Sequence, residues 1–217
     1  MTDVIETATS RGPGRWHIDR TNGRPRAQVL LGHGAGGGVE AHDLVVLASV
    51  LPQVGIEVAR FEQPWRVAGR KVAGAPRTLD EAWTEAMPSV VRDDTPLIVG
   101  GRSAGARVAC RTARASGAAG VLALAFPLHP PGKPEKSRAE ELPDLPALMV
   151  QGSRDPFGSG QELARFLRQD HELLSIAGGD HSLAVGRHGP LTQAEVDEVL
   201  TTGVGRWLRE MTRTAVA

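Results

Sequence analysis

The sequence predicts an α/β fold, with a mostly parallel central sheet and helices on both faces. Short apolar segments that resemble strands alternate with helical patterns along most of the chain, as a parallel sheet with helical crossovers requires. Of its 217 residues, 41% are hydrophobic and 23% are charged, so one domain with a well-filled core is expected. Ligands of such sheets bind beyond the carboxyl ends of the strands, so we expect catalytic residues directly after strands.

The elements follow in order from the N-terminus. Residues 1–14 are polar and contain Gly-Pro-Gly, which predicts a flexible terminus, leaving a single domain over residues 15–217. Trp16-His17-Ile18 predicts a short strand, and Thr21-Asn22-Gly23 a hairpin turn. Apolar runs predict strands at 27–31, 56–61, 97–100, 121–126, 147–150 and 173–176. Periodicity predicts helices at 44–51, 79–91, 103–115, 161–167 and 195–211, the second bent near Pro88.

Charge and cysteine content narrow the class of protein. Lys plus Arg is 25 and Asp plus Glu is 25, so there is no electrostatic reason to expect a nucleic-acid partner. Cys110 is the one cysteine, which fits a reducing compartment. The first residues are acidic where a signal peptide is basic, and no apolar run approaches the ~18 residues of a membrane helix. We expect a cytoplasmic protein without membrane contact, cofactor or metal.

The segment Gly101-Arg102-Ser103-Ala104-Gly105 matches the pattern G-x-S-x-G. A nucleophilic serine must project from a sharp strand-to-helix turn, and small flanking residues leave room for that turn. The apolar strand 97–100 precedes the motif and a helical pattern follows it. We therefore predict that Ser103 is a nucleophile.

A serine hydroxyl needs a base to remove its proton, and His181 is the best placed of the seven histidines. It follows strand 173–176 in the turn Gly178-Gly179-Asp180, at a carboxyl end. His171 precedes that strand, and His188 lies further from it. The remaining histidines come too early for the chain order Ser, Asp, His; they are His17, His33, His42 and His129.

The base in turn needs an acid that fixes its tautomer, and Asp155 follows strand 147–150 at the same edge. Asp144 precedes the strand and so belongs to the other end of the sheet. Asp180 is the sequence neighbour of His181, and adjacent side chains seldom face each other. We predict the triad Ser103, His181 and Asp155.

Backbone N–H groups that bind a developing oxyanion are expected in the glycine-rich loop after strand 27–31. That loop reads His33-Gly34-Ala35-Gly36-Gly37-Gly38. The predicted donors are the amides of Ala35 and Ala104. Residues beside these motifs are further candidates for contacting a small-molecule substrate: His33, Gly34, Gly36, Arg66, Arg102 and His129.

These motifs, with the segments 126–134 and 151–158, resemble a known family from about residue 27 to the end. They are similar to small bacterial α/β-hydrolases of the dienelactone-hydrolase-like type, and to the hydrolase-like domain of the eukaryotic NSL chromatin-complex subunit three. The resemblance implies an α/β-hydrolase fold and a Ser-Asp-His site, and it leaves the substrate open. Dienelactone hydrolases proper use a cysteine nucleophile, whereas this chain has Ser103.

The predicted activity is hydrolysis of a small ester or related acyl substrate through an acyl-enzyme. The connection 127–146 has three prolines in its first five residues, which excludes a large helical cap domain. The loop 63–77 carries Arg66, Arg70, Lys71 and Arg77 after Glu62, and we hypothesise that it attracts anionic acyl groups.

Two alternatives remain open. The first is a non-catalytic interaction protein on the same fold. The second is a dinucleotide-binding protein, because Gly32 to Gly37 also reads G-x-G-x-x-G after a strand, with Glu62 ending the next one.

Overall fold

The computed structural model describes residues 2–214, in which eight strands form one sheet. The strands are β1 Thr2–Thr7, β2 Gly14–Asp19, β3 Ala27–Gly32, β4 Ile56–Glu62, β5 Leu97–Arg102, β6 Gly120–Leu124, β7 Ala147–Gly152 and β8 His171–Ile176. Their order across the sheet is β1-β2-β4-β3-β5-β6-β7-β8. The pairs β1–β2 and β2–β4 are antiparallel and the other five pairs are parallel. The prediction of a mostly parallel sheet is therefore confirmed.

Helices cover both faces of this sheet. They are α1 His42–Val50, α2 Pro64–Val67, α3 Pro76–Ala86, α4 Ala104–Thr112, α5 Gly160–Leu163 and α6 Gln193–Thr214. On one face, Leu47 of α1 and Trp207 of α6 pack into a buried apolar cluster. On the other, Trp83 of α3 and Val108 of α4 belong to a second cluster. Burial of large apolar side chains on both faces accounts for the continuous apolar runs of the inner strands.

The chain reverses its direction of travel across the sheet at β3. It passes from β3 to β4 on one side, and then returns to place β5 on the other side of β3. Such a switch point opens a crevice beyond the carboxyl ends of the two strands involved, and ligands of open α/β sheets bind there. The glycine-rich loop after β3 and Ser103 after β5 therefore meet at one place.

The expectation of a loose terminus at residues 1–14 is wrong for the part that the structure describes. β1 pairs with β2 from Thr2 opposite Asp19 to Thr7 opposite Gly14. Ser10, in the turn between them, donates hydrogen bonds to Glu85 of α3 from its amide (2.6 Å) and its hydroxyl (2.8 Å). The hairpin turn thus lies between β1 and β2. Residues 21–23 instead lead from β2 to β3, two strands away.

Two differences concern the segment 63–91. The predicted loop 63–77 contains α2 and the start of α3, because Pro64 and Pro76 each occupy a first helical turn, where the missing N–H of proline costs nothing. The predicted bend near Pro88 is the end of α3, which is followed by a 3₁₀ turn at Met87–Ser89.

The connection between β6 and β7 contains one short element, a 3₁₀ turn at Ala139–Glu141. No cap domain is therefore built over the sheet within residues 2–214, as the sequence predicted. In the same part of the chain, no helix combines the length and the apolar character that crossing a membrane would need.

Candidate active site

Ser103 occupies a strained turn between β5 and α4. Its backbone angles are φ 53° and ψ −112°, a conformation that costs a residue with a side chain about 1–3 kcal/mol. The turn is held by close packing of α4 on β3, since a Cβ atom placed on Gly105 would collide with the backbone of Gly32. The glycines of the motif thus bring the helix close to the strand and leave the Ser103 hydroxyl at the carboxyl edge of the sheet.

The Ser103 hydroxyl lies beside the ring of His181. The distance from Ser103 Oγ to His181 Nε2 is 2.9 Å, within reach of a hydrogen bond between a nucleophile and its base. The two residues are 78 positions apart in the chain. They meet because β5 and β8 are parallel and end at the same edge.

Asp155 contacts the other ring nitrogen of His181. Its Oδ2 lies 2.8 Å from His181 Nδ1, and the carboxylate is fully buried. A carboxylate accepts, so Nδ1 carries the proton and Nε2 is left as the acceptor toward Ser103. Asp155 is itself fixed by Gln151 Nε2 on Oδ2 (2.9 Å) and by the Phe157 amide on Oδ1 (2.8 Å).

The loop that carries His181 is shaped by its neighbour Asp180. Asp180 Oδ1 accepts hydrogen bonds from the amides of Ser182 (2.7 Å) and Ala184 (3.1 Å). Leu183 anchors the loop in the core with φ 54°. The ring of Phe157 stacks on the His181 ring with centroids 4.1 Å apart. Asp180 therefore organises the turn, while Asp155 faces the histidine.

Other residues that could serve as base, acid or nucleophile do not take part in this arrangement. His171 is the first residue of β8, at the amino end of the strand. Asp144 precedes β7 and forms an exposed ion pair with Arg114. Cys110 is buried in α4, and burial raises the pKa of its thiol to about 12, so a thiolate is not available there at neutral pH.

His33 shapes the glycine-rich loop. The Gln63 amide donates to His33 Nε2 (3.1 Å), and the protonated Nδ1 donates to the Gly34 carbonyl (2.8 Å). Burial lowers the pKa of His33, which favours this neutral form. His33 therefore ties the loop to the end of β4 through both nitrogens.

Ala35 and Ala104 line the same cleft. An open cleft of about 370 Å³ includes both residues, together with Lys71, Arg107 and Arg111. A small cavity of about 10 Å³ continues from them between Trp65 and Leu79. Among residues 2–214, no hydrogen bond occupies the amide of Ala35 or of Ala104. Two N–H groups thus remain available beside Ser103.

The other candidate residues differ in what they contact. A Cβ atom on Gly34 would come within 3.4 Å of Ser103 Cβ, whereas one on Gly36 would meet open space. Arg66 forms an ion pair with Glu40 at 3.1 Å. The His129 amide donates to the Phe157 carbonyl (3.0 Å), and its Nδ1 donates to the Pro130 carbonyl (2.9 Å). Arg66 and His129 are thus engaged with protein groups.

Sequence reasoning missed four residues that support the site. Gln151 and Phe157 hold Asp155 and the His181 ring, and Asp43 pairs with Arg102 at 3.1 Å between Oδ2 and Nε. Asp180 was weighed only as a rival acid. Gln151 and Phe157 belong to the segment 151–158 that carried the family resemblance, which was the available signal. Asp43 lies outside every motif.

The position of α1 does not fit the alternative of a dinucleotide-binding protein. In a dinucleotide site the helix begins within the glycine fingerprint, so that its N-terminus meets the phosphates. Here α1 begins at His42, five residues after Gly37, and Glu62 lies 3.4 Å from His17. Among residues 2–214, no cluster of three or more His, Cys, Asp or Glu side chains could hold a metal ion.

The chain is similar to known hydrolases in sequence and in fold. A family model described as an alpha/beta hydrolase domain matches residues 25–208. The fold is similar to an α/β serine hydrolase homologue from Coxiella burnetii, with TM-score 0.74 and 20% identity over 94% of this chain and 98% of that one. A lidless α/β serine hydrolase from Xanthomonas campestris gives TM-score 0.69 and 21% identity over 95% and 94%. Dienelactone hydrolase from Anabaena variabilis gives 0.70 and 16% over 93% and 95%.

Proposed function

The chain belongs to the α/β-hydrolase family, and from that premise we propose that it is a serine hydrolase of small esters or related acyl compounds. The observation that carries the proposal is the continuous hydrogen-bonded series from Ser103 Oγ to His181 Nε2 (2.9 Å) and from His181 Nδ1 to Asp155 Oδ2 (2.8 Å). The three side chains come from the carboxyl ends of three parallel strands.

The first half of the reaction forms an acyl-enzyme. His181 Nε2 takes the hydroxyl proton as Ser103 Oγ attacks the substrate carbonyl, and Asp155 stabilises the imidazolium that results. The amides of Ala35 and Ala104 bind the oxyanion of the tetrahedral intermediate. His181 then returns the proton to the leaving alcohol, and the intermediate collapses to an ester on Ser103.

The second half regenerates the enzyme. Water approaches on the side vacated by the alcohol, and His181 Nε2 removes a proton from it. The resulting tetrahedral intermediate uses the same two amides, and its collapse releases the carboxylic acid and returns the proton to Ser103. No cofactor takes part in this sequence.

The substrate class follows from the shape of the cleft. The apolar space beyond Ala35 and Ala104 is small, about 10 Å³ between Trp65 and Leu79, before it opens into the cleft of about 370 Å³. The enclosed part has room for roughly one water, so the acyl group must lie in the open cleft, where a long chain would gain little burial. The likeness to the NSL subunit rests on sequence motifs alone, and it motivates the non-catalytic alternative.

A fluorophosphonate probe tests the proposal directly, because it reacts only with a serine that a base has activated. Labelling of the wild-type protein, absence of labelling in Ser103→Ala, and turnover of a nitrophenyl acetate are the expected results. Undiminished labelling of Ser103→Ala would reject Ser103 as nucleophile. Absence of labelling in the wild type would favour the non-catalytic alternative.

A further inference from the structure

Arg102 precedes Ser103 directly, contacts two separate parts of the site and lies close to a third. Its Nη2 donates to the main-chain carbonyl of His181 at 2.8 Å. Its Nε lies 3.1 Å from Asp43 Oδ2, and its Nη1 lies 3.1 Å from where a Cβ atom on Gly34 would be. The guanidinium thus reaches the loop that carries His181, the first turn of α1 and the glycine-rich loop after β3.

These contacts close a ring around the reacting atoms. Ser103 Oγ meets the ring of His181, the carbonyl of His181 accepts from Arg102, and Arg102 is covalently joined to Ser103. A closed ring of this kind limits how far the base can move from the nucleophile. The side chain is 14% exposed, so it is held by protein contacts more than by water.

Asp43 faces the guanidinium from the other side as an ion pair, without a hydrogen bond between Oδ2 and Nε. Its side chain is 2% exposed, and its Oδ1 accepts from the Leu44 amide at 2.9 Å. Burial raises the pKa of Asp43 while Arg102 opposes the rise. A buried carboxylate with no cation beside it is strongly unfavourable, so the Asp43–Arg102 pair is expected to form as a unit.

We propose that Arg102, held by Asp43, is a positioning residue that fixes the main chain of His181 at the correct distance from Ser103. This inference rests on the proposed function, and it replaces the expectation that Arg102 binds substrate. A guanidinium suits the task because its planar fork can donate to the His181 carbonyl while a second edge faces a carboxylate.

The expected consequence is a loss in kcat. A displacement of about 1 Å between catalytic groups costs up to ~10²-fold in rate, whereas binding of a small ester does not depend on the position of the base. Removal of Arg102 should therefore lower kcat by about 10- to 100-fold with KM changed by less than about threefold.

The experiment compares Arg102→Lys, Arg102→Met, the double variant Arg102→Met/Asp43→Asn and the wild type. The double variant is included because Arg102→Met alone leaves a buried carboxylate unpaired and is at risk of failing to fold. Arg114→Met is the matched control, since it breaks an exposed Arg–Asp pair away from the site. Active sites are counted by end-point fluorophosphonate labelling, so that kcat is expressed per folded, reactive molecule.

The proposal expects lower kcat and slower labelling per active site in the double variant, a partial recovery in Arg102→Lys, and wild-type values in Arg114→Met. Wild-type kcat in the folded double variant would overturn it. A raised KM with unchanged kcat would overturn it too, and would make Arg102 a substrate contact. Both results leave the nucleophile intact, whereas failure of the wild type to label Ser103 would overturn the proposed function and this inference together.

Discussion

Asp155 uses both carboxylate oxygens within the protein. Oδ2 is shared by His181 Nδ1 and Gln151 Nε2, and Oδ1 accepts from the Phe157 amide. Each donor pairs with a carboxylate oxygen in a buried position, where an unpaired polar group would be costly. The acid is thus held in the orientation that keeps a proton on Nδ1 of the histidine.

We expect Asp155→Asn to keep the fold and to lower turnover of a short nitrophenyl ester by about 10⁴-fold, because the amide favours the wrong tautomer of His181. The measurement is kcat/KM, with circular dichroism to check folding. Asp144→Asn is the control and should keep wild-type activity. Near-normal turnover in Asp155→Asn would mean that a different acceptor, with Asp180 the first to examine, serves the histidine.

At the scale of elements, the segment 63–77 differs from the uniformly basic loop that the sequence predicted. Arg66 is paired with Glu40, and Arg77 with Glu81 at 2.8 Å. Lys71 lines the cleft beside Ala35 and Ala104. Within residues 2–214, it forms no hydrogen bond or ion pair. The basic character of the predicted loop is therefore reduced by pairing, and Lys71 is the cation of this loop that lines the cleft.

We expect Lys71→Ala to lower kcat/KM for a nitrophenyl hemisuccinate severalfold while leaving the neutral butyrate unchanged, with the difference shrinking at high salt. Arg77→Ala is the control from the same segment. Equal rates for the anionic and neutral esters in the wild type, with no effect of salt, would contradict a role for charge in substrate selection.

Elements that interact with distant residues were the hardest to predict. β1 has exposed positions on both sides, so its sequence shows no clear alternation, and only pairing with β2 makes it a strand. α3 begins at Pro76 and not at the predicted residue 79, because proline fits the first turn of a helix. The inner strands were predicted well because they are buried on both faces and therefore apolar throughout.

The residues of the site likewise differ in how well the sequence predicts them. Ser103, Asp155 and His181 could be selected because each follows a strand, and parallel strands end at one edge. The contact between Arg102 and His181 involves a main-chain oxygen 79 residues away, and a main-chain atom leaves no trace in residue identity. Asp43 was missed for a related reason, since its partner is set by the position of α1.

For the whole molecule, the absence of a cap over the described part of the chain limits what the cleft can enclose. A long acyl chain gains affinity from burial at about 0.8 kcal/mol per CH₂, and an open cleft offers little of that burial. We expect kcat/KM in a nitrophenyl ester series to be highest at about two to four acyl carbons. A steady rise toward long chains would reveal an apolar channel.

The stability of the whole molecule is expected to fall as the pH drops from 7.5 to 5.5. Burial lowers the pKa of His33 and of His171, so the unfolded chain takes up protons below about pH 6.5 that the folded state resists. Each group contributes at most about 1.4 kcal/mol per pH unit. Asp43, whose pKa is raised, acts in the opposite direction.

Urea unfolding at the two pH values measures this dependence. His171→Gln removes one of the two groups and should flatten the decline, whereas His188→Gln, an exposed position, should leave it as in the wild type. An unchanged decline in His171→Gln would show that its burial does not influence the pH dependence of folding.

The strained turn at Ser103 reverses the ordinary ranking of alanine and glycine. At most positions glycine destabilises because it is freer when unfolded, by about 0.5–1 kcal/mol relative to alanine. At φ 53° and ψ −112° the side chain itself costs about 1–3 kcal/mol, and both Ser103→Gly and Ser103→Ala lack the hydroxyl. Ser103→Gly should therefore melt at a higher temperature than Ser103→Ala in calorimetry, and a lower one would show the turn to be relaxed. Selection for thermal stability alone would therefore favour glycine at position 103, so the retention of serine in this strained turn fits the nucleophilic role that we propose for its hydroxyl.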